Sequence, residues 1–91
     1  MSVDVRRTAV AYEAYIDGER VGTLTYSRHR GVVTAMHTEV SPNAKGKGVG
    51  STLARALLDE ARQAGRTVDA QCPFVAGWID RHQEYADLLT G

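Results

Sequence analysis

The residues best suited to chemistry lie in one run, Ser41-Pro42-Asn43-Ala44-Lys45-Gly46-Lys47-Gly48-Val49-Gly50. Its glycines stand at alternate positions with Lys45 and Lys47 among them, between an extended run ending at Val40 and a helix-periodic run beginning near Val49. Glycine reaches positive φ without strain and lets a ligand approach the backbone with no Cβ in the way. The first turn of the following helix adds unpaired N–H groups and the positive end of the dipole. Strand, glycine-rich turn and helix, in that order, suit a phosphate group. Across the chain 11 basic residues balance 11 acidic ones, so attraction for anions has to be local. No acidic residue occurs between Val40 and Leu58, which leaves the two lysines as that local charge.

Spacing rules out two familiar phosphate loops. A P-loop places Ser or Thr directly after its lysine to reach magnesium, and here Gly48 follows Lys47. A dinucleotide loop runs G-x-G-x-x-G after the first strand of a parallel sheet, whereas these glycines run G-x-G-x-G.

Three further side chains have reactive potential. His37 and Glu39 are two apart in an extended run, which puts them on one side of the strand with Val33 and Ala35. Either can take a proton through a water; the alternatives are a His37 that satisfies an interior polar contact and a solvated Glu39 at a strand end. Cys72 is the single cysteine, so this chain alone builds neither a disulfide nor a thiolate zinc site. A reduced, cytoplasmic setting without a metal is expected.

The elements that position these residues follow from periodicity. Thr8 to Ile16 alternates Val10, Tyr12, Ala14 and Ile16, as a half-buried strand does, and Asp17-Gly18 is a hairpin signal. Arg20 to Tyr26 returns with Leu24 and Tyr26 on one face, Arg28 to Gly31 is a solvated basic turn, and Val32 to Val40 is a third strand. The period then becomes helical, with Val49, Leu53, Leu57 and Ala61 on one stripe, Arg55 and Asp59 as an i,i+4 pair, and Gly65 as terminator. Thr67 to Cys72 is a fourth strand, Pro73 breaks it, and Phe74 to His82 is a second helix with Phe74, Trp78 and Ile79 in the core. A short helical tail, Glu84 to Leu89, closes the chain, with His82 and Tyr85 as a packing pair. The predicted order is β-β-β-α-β-α, an α+β domain over residues 1–91 in which an antiparallel meander meets one parallel pair through a right-handed crossover. Hydrophobic content of 43% and charged content of 24% match an ordinary globular domain. The charge balance argues against nucleic acid or an anionic membrane as partner. No apolar run approaches the ~20 residues of a membrane span, and the charged Met1 to Arg7 does not lead into a signal-peptide core.

The loop resembles the acyl-CoA loop of GNAT-superfamily N-acetyltransferases, Gln/Arg-x-x-Gly-x-Gly/Ala, with Lys45 in place of the first Gln or Arg. His37-Thr38-Glu39-Val40 before it, Cys72-Pro73-Phe74-Val75 after the crossover and the terminal Ile79 to Leu89 are similar to the family of minimal, single-domain GNAT-like proteins. Gln83 stands where that family has proline. The resemblance covers about Thr8 to Leu89 and implies a truncated GNAT-like fold with acetyl-CoA as cofactor. It also implies backbone contacts from Glu39 and Val40 to the pantetheine amides, and a pyrophosphate held at Lys45, Gly46, Lys47, Gly48, Val49 and Gly50. It implies acetyl transfer to an amine acceptor of unknown identity, protein or small molecule, by a monomer or weak homodimer. Catalysis falls to Cys72, His37 and Glu39. By analogy with relatives Cys72 forms an acyl-cysteine; by its alternation with Val68 and Ala70 it is a packed core thiol. Larger members carry helices between their first two strands where this chain has a tight hairpin, which leaves a CoA-binding or regulatory module without turnover as the alternative function.

Overall fold

In the computed structural model, which describes residues 2–90, β1 (Asp4–Arg7), β2 (Ala11–Ile16), β3 (Glu19–His29) and β4 (Val32–Val40) form an antiparallel meander. A 3₁₀ turn, Pro42–Ala44, leads into α1 (Val49–Gln63), and β5 (Thr67–Ala70) then pairs parallel with β4. The sheet order is therefore β1-β2-β3-β4-β5. After β5 come α2 (Pro73–Asp80) and a second 3₁₀ segment, Gln83–Leu88, in place of the expected helical tail. The mixed α+β architecture with one parallel pair is as the periodicity indicated. The additional strand is β1, whose charged sequence hides it. It is secured because Val5 faces Ala14 and because Arg7 Nε reaches Glu60 Oε1 on α1 at 3.0 Å. The Tyr12 hydroxyl donates to the same oxygen at 2.7 Å.

Both helices cover one face of the sheet, here called the inner face. Tyr12, Leu24, Tyr26, Val33, Ala35 and Val68 from the strands share one core with Leu53, Leu57, Leu58, Val75, Trp78 and Ile79 from the helices. Among the described residues no helix packs on the opposite, outer face, and no helix is long and apolar enough to cross a membrane. Gly22 is what lets α1 start close against β3. A Cβ there would lie 2.8 Å from Val49 Cγ1 and 3.2 Å from the Glu39 carbonyl oxygen. Gly65, at φ +70°, ends α1 as its position predicts. The expected Arg55–Asp59 pair does not form: Asp59 accepts the Tyr85 hydroxyl at 2.6 Å, and Arg55 lies over the Trp78 ring at 5.3 Å.

One irregularity decides where the site residues point. Thr25 pairs with His37 but Tyr26 pairs with Ala35, so Met36 is an extra residue in β4. This bulge resets the alternation of the strand. Val33 and Ala35 face the core, whereas His37 and Glu39 sit opposite Thr25 and Thr23 on the outer face. The expectation that all four share a side is corrected by that single residue. Thr38, opposite the buried Leu24, points inward instead.

Candidate active site

β4 and β5 part company halfway along β4. Their ladder ends at Ala35 and Ala70, with a last bond from the Cys72 amide to the Ala35 carbonyl at 2.9 Å. Beyond it β4 runs on to Val40 while the other chain turns into α2, which opens a V between them. The Ser41 amide donates to the Val21 carbonyl at 2.8 Å. Antiparallel alternation then commits the backbone groups of Glu39 and His37 to β3 and turns those of Thr38 and Val40 to the open edge. An extended ligand would therefore pair with Thr38 and Val40, and Glu39 lines the cleft without a free backbone group.

A cleft of ≈ 500 Å³ runs from this edge to the loop, bounded by Thr38, Val40, Lys45, Gly46, Gly48 and Gly50 with Phe74 as its apolar wall. Gly46 and Gly48 hold φ of +82° and +76°, the left-handed region that other residues enter only with strain. Gly48 is the N-cap of α1 and offers no side chain to its amides. Among the described residues the N–H groups of Gly46, Gly48, Val49, Gly50 and Ser51 have no backbone partner; Gly46, Gly48, Gly50 and Ser51 line the cleft, at the positive end of the α1 dipole. Gly50 has a different role, because a Cβ there would come within 2.6 Å of Phe74 Cζ. The bare backbone lets that ring lie against the start of α1. Phe74, expected in the core, lies there 39% exposed. The loop also separates its two lysines. Lys45 lines the cleft, and Lys47 borders a depression on the other side with Asp17 and Glu19.

Residues 11–88 match the family model of the GCN5-related N-acetyltransferases. The chain belongs to that family. Among solved structures, the solution structure of a GCN5-like protein from Staphylococcus aureus superposes with a TM-score of 0.77 at 22% identity, covering 97% of this chain and 88% of the other. The ribosomal-protein-alanine N-acetyltransferase of Brucella melitensis biovar Abortus superposes with a TM-score of 0.65, also at 22% identity, covering 89% of this chain and 61% of the other. At such identity the likeness is one of fold. No curated protein matches the sequence.

In this N-acetyltransferase the three reactive side chains fall on two sides of the sheet. Cys72 is 2% exposed at the point of the V, its Sγ 3.2 Å from Thr38 Oγ1, and it is the N-cap residue of α2. His37 and Glu39 are exposed on the outer face with Nε2 and Oε1 3.4 Å apart. The structure therefore brings His37 to Glu39, and Cys72 to Thr38, but not the two pairs onto one surface. Thr38, Gly22 and Phe74 are site residues that sequence reasoning missed. The signal for Thr38 was its place between His37 and Glu39, which puts it on the opposite pleat. Tyr85 and His82 are packing residues, as expected. The Tyr85 hydroxyl is held by Asp59, and that bond, ahead of burial, pushes its ionisation up. His82 stacks on Trp78 with ring centres 3.7 Å apart and places Nδ1 2.7 Å from the Trp78 carbonyl. Among the described residues no group of His, Cys, Asp or Glu is arranged to hold a metal.

Proposed function

We propose that this N-acetyltransferase binds acetyl-CoA in the V between β4 and β5 and transfers its acetyl group to a primary amine. The observation that carries this reading is the set of amides of Gly46, Gly48, Val49, Gly50 and Ser51, without a backbone partner among the described residues, at the mouth of a cleft whose other wall is the open edge of β4. Phosphate oxygens suit the first and an extended amide chain suits the second. Lys45 adds a point charge to the pyrophosphate end. The thioester then belongs at the point of the V, beside Thr38 and Cys72.

Transfer needs a neutral amine and a polarised carbonyl. The amine nitrogen attacks the acetyl carbon from the outer face, the new C–N bond forms, and the Thr38 amide receives the developing oxyanion. His37, oriented by Glu39, removes the amine proton through a water. The C–S bond breaks and the departing thiolate is protonated by the Cys72–Thr38 pair, which recovers its proton from solvent. A second route is favoured by the position of Sγ at the point of the V. Here Cys72 attacks first, an S–C bond replaces the thioester of CoA and the thiol proton leaves with the CoA thiolate; the amine then attacks the acyl carbon, the S–C bond breaks, and the proton lost by the nitrogen returns through water to the Cys72 thiolate. A reduced single cysteine fits a cytoplasmic enzyme, monomeric or weakly dimeric.

Two measurements test this. Calorimetry should show acetyl-CoA binding that Gly48→Glu removes; absence of binding to the wild type sinks the proposal. Incubation with radiolabelled acetyl-CoA then separates the routes. If the wild type carries label that Cys72→Ala loses together with turnover, the covalent route operates; a wild type that turns over without label, and a Cys72→Ala whose turnover falls only in part, leave the direct one. Binding without transfer to any amine of a broad panel assigns the chain to the regulatory alternative.

A further inference from the structure

The first turn of α1 holds two neighbouring hydroxyls with different fates. Thr52 Oγ1 donates to the Gly48 carbonyl at 2.8 Å, the back-bond that hydroxyls within helices often make. Ser51, one residue earlier and lining the cleft, makes no such bond. Its oxygen instead receives the indole Nε1–H of Trp78 at 3.0 Å. An indole can only donate, so the serine oxygen has to accept and the hydroxyl proton is left for a third group. Among the described residues no protein atom takes that proton. The indole itself is firmly held. Trp78 is 1% exposed, His82 stacks on it with ring centres 3.7 Å apart, and the Tyr85 ring lies at 5.4 Å. A partner locked by packing fixes the side chain it touches. Ser51 therefore presents an oriented O–H in the same turn as the amides of Gly48 and Gly50, and in the same cleft.

We infer that Trp78 is a positioning residue for the cofactor: by donating to Ser51 it aims the serine hydroxyl, as a donor, at a phosphate oxygen. A hydroxyl that has accepted one hydrogen bond is polarised toward donating the next. The acceptor it meets is anionic, which makes that second bond the stronger kind. Phosphate fits Ser51 better than the thioester arm does, because Ser51 belongs to the helix start, whereas the amides of that arm suit the open edge of β4 at Thr38 and Val40. The inference rests on the acetyl-CoA reading and adds to it one side-chain donor, controlled from α2, at a place otherwise made of backbone.

NMR titrations with acetyl-CoA and with S-acetyl-pantetheine, which keeps the thioester arm and has no phosphate, test both residues. Ser51→Ala should weaken acetyl-CoA binding about tenfold and leave S-acetyl-pantetheine within about twofold. Trp78→Phe keeps an aromatic ring and removes the N–H. It should weaken acetyl-CoA about threefold, spare S-acetyl-pantetheine, and cost nothing further in the Ser51→Ala background. Equal losses for the two ligands, or losses that multiply in the double variant, show that Trp78 serves the fold alone and overturn its positioning role. A readout that needs no change at Trp78 guards against a variant that does not fold. Trp78 is the single tryptophan, so its indole N–H gives one signal. Acetyl-CoA should move that signal in the wild type and not in Ser51→Ala, and S-acetyl-pantetheine should move it in neither; a signal that acetyl-CoA leaves in place overturns the role. Acetyl-CoA affinity unchanged in Ser51→Ala overturns the assignment and leaves the acetyl-CoA reading intact, whereas a wild type that binds no acetyl-CoA overturns both.

Discussion

The two ends of the cleft are built from different material. At the loop end the candidate binding groups are backbone: the amides of Gly46, Gly48, Val49, Gly50 and Ser51, which have no backbone partner among the described residues, at glycine conformations and a helix start without a side-chain cap. At the point of the V the candidate groups are side chains, and the sheet divides them, with Cys72 and Thr38 inside and His37 and Glu39 outside. Backbone sites depend on which residues can adopt a conformation. Side-chain sites depend on which face a pleat turns them to, and one inserted residue reverses that. In the first kind a change such as Lys45 for Gln or Arg leaves the amides in place; the second kind moves with every bulge.

The sharpest way to break this contrast is at Gly48. Gly48→Glu forces a side chain into a left-handed position and brings a carboxylate to the phosphate end, so acetyl-CoA affinity should fall about 100-fold or more in calorimetry. Binding that survives would mean the amides are not the phosphate site. Next comes Gly22→Val, which meets Val49 and the Glu39 carbonyl and should cost roughly 1–3 kcal/mol in urea unfolding. Lys45→Ala should weaken acetyl-CoA binding by about fivefold while Lys47→Ala stays within about twofold, because only Lys45 borders the cleft. Equal effects would show that charge acts there without regard to side. The smallest effect lies away from the site. Arg62 grips Asp87 through two bonds of 3.0 and 2.9 Å and holds its carboxyl below the ordinary 3.8. A depressed carboxyl contributes stability that is complete above its unfolded pKa and is lost as pH falls through the folded value. The melting temperature of Arg62→Ala should therefore lie slightly below the wild type at neutral pH and converge with it in strongly acid solution.

Much of the fold was legible because its signals are local. Alternation at Tyr12, Ala14 and Ile16 and the helical stripe Val49, Leu53, Leu57 and Ala61 all bury as their periods require. Asp17-Gly18 turns with φ of +51° and +80°. β1 escaped because Arg6 and Arg7 read as solvated, and the partner that holds Arg7 is Glu60, far along the chain. The spacing of Phe74 to Trp78 suggests a core position, whereas in the structure its ring lies against the bare backbone of Gly50 and walls the cleft.

By itself the sequence determined the conformation of the loop: glycine is the residue that reaches those dihedral angles without strain, so its placement announces free amides ahead of a helix. It also determined the order of elements, since period follows from backbone geometry. The tertiary structure alone decided which side chains meet. The Met36 bulge turned His37 and Glu39 outward, and the end of the β4–β5 ladder put Thr38 beside Cys72. These are contacts between residues distant in the chain, set by register and packing across the sheet, and no local pattern encodes a register shift of one residue.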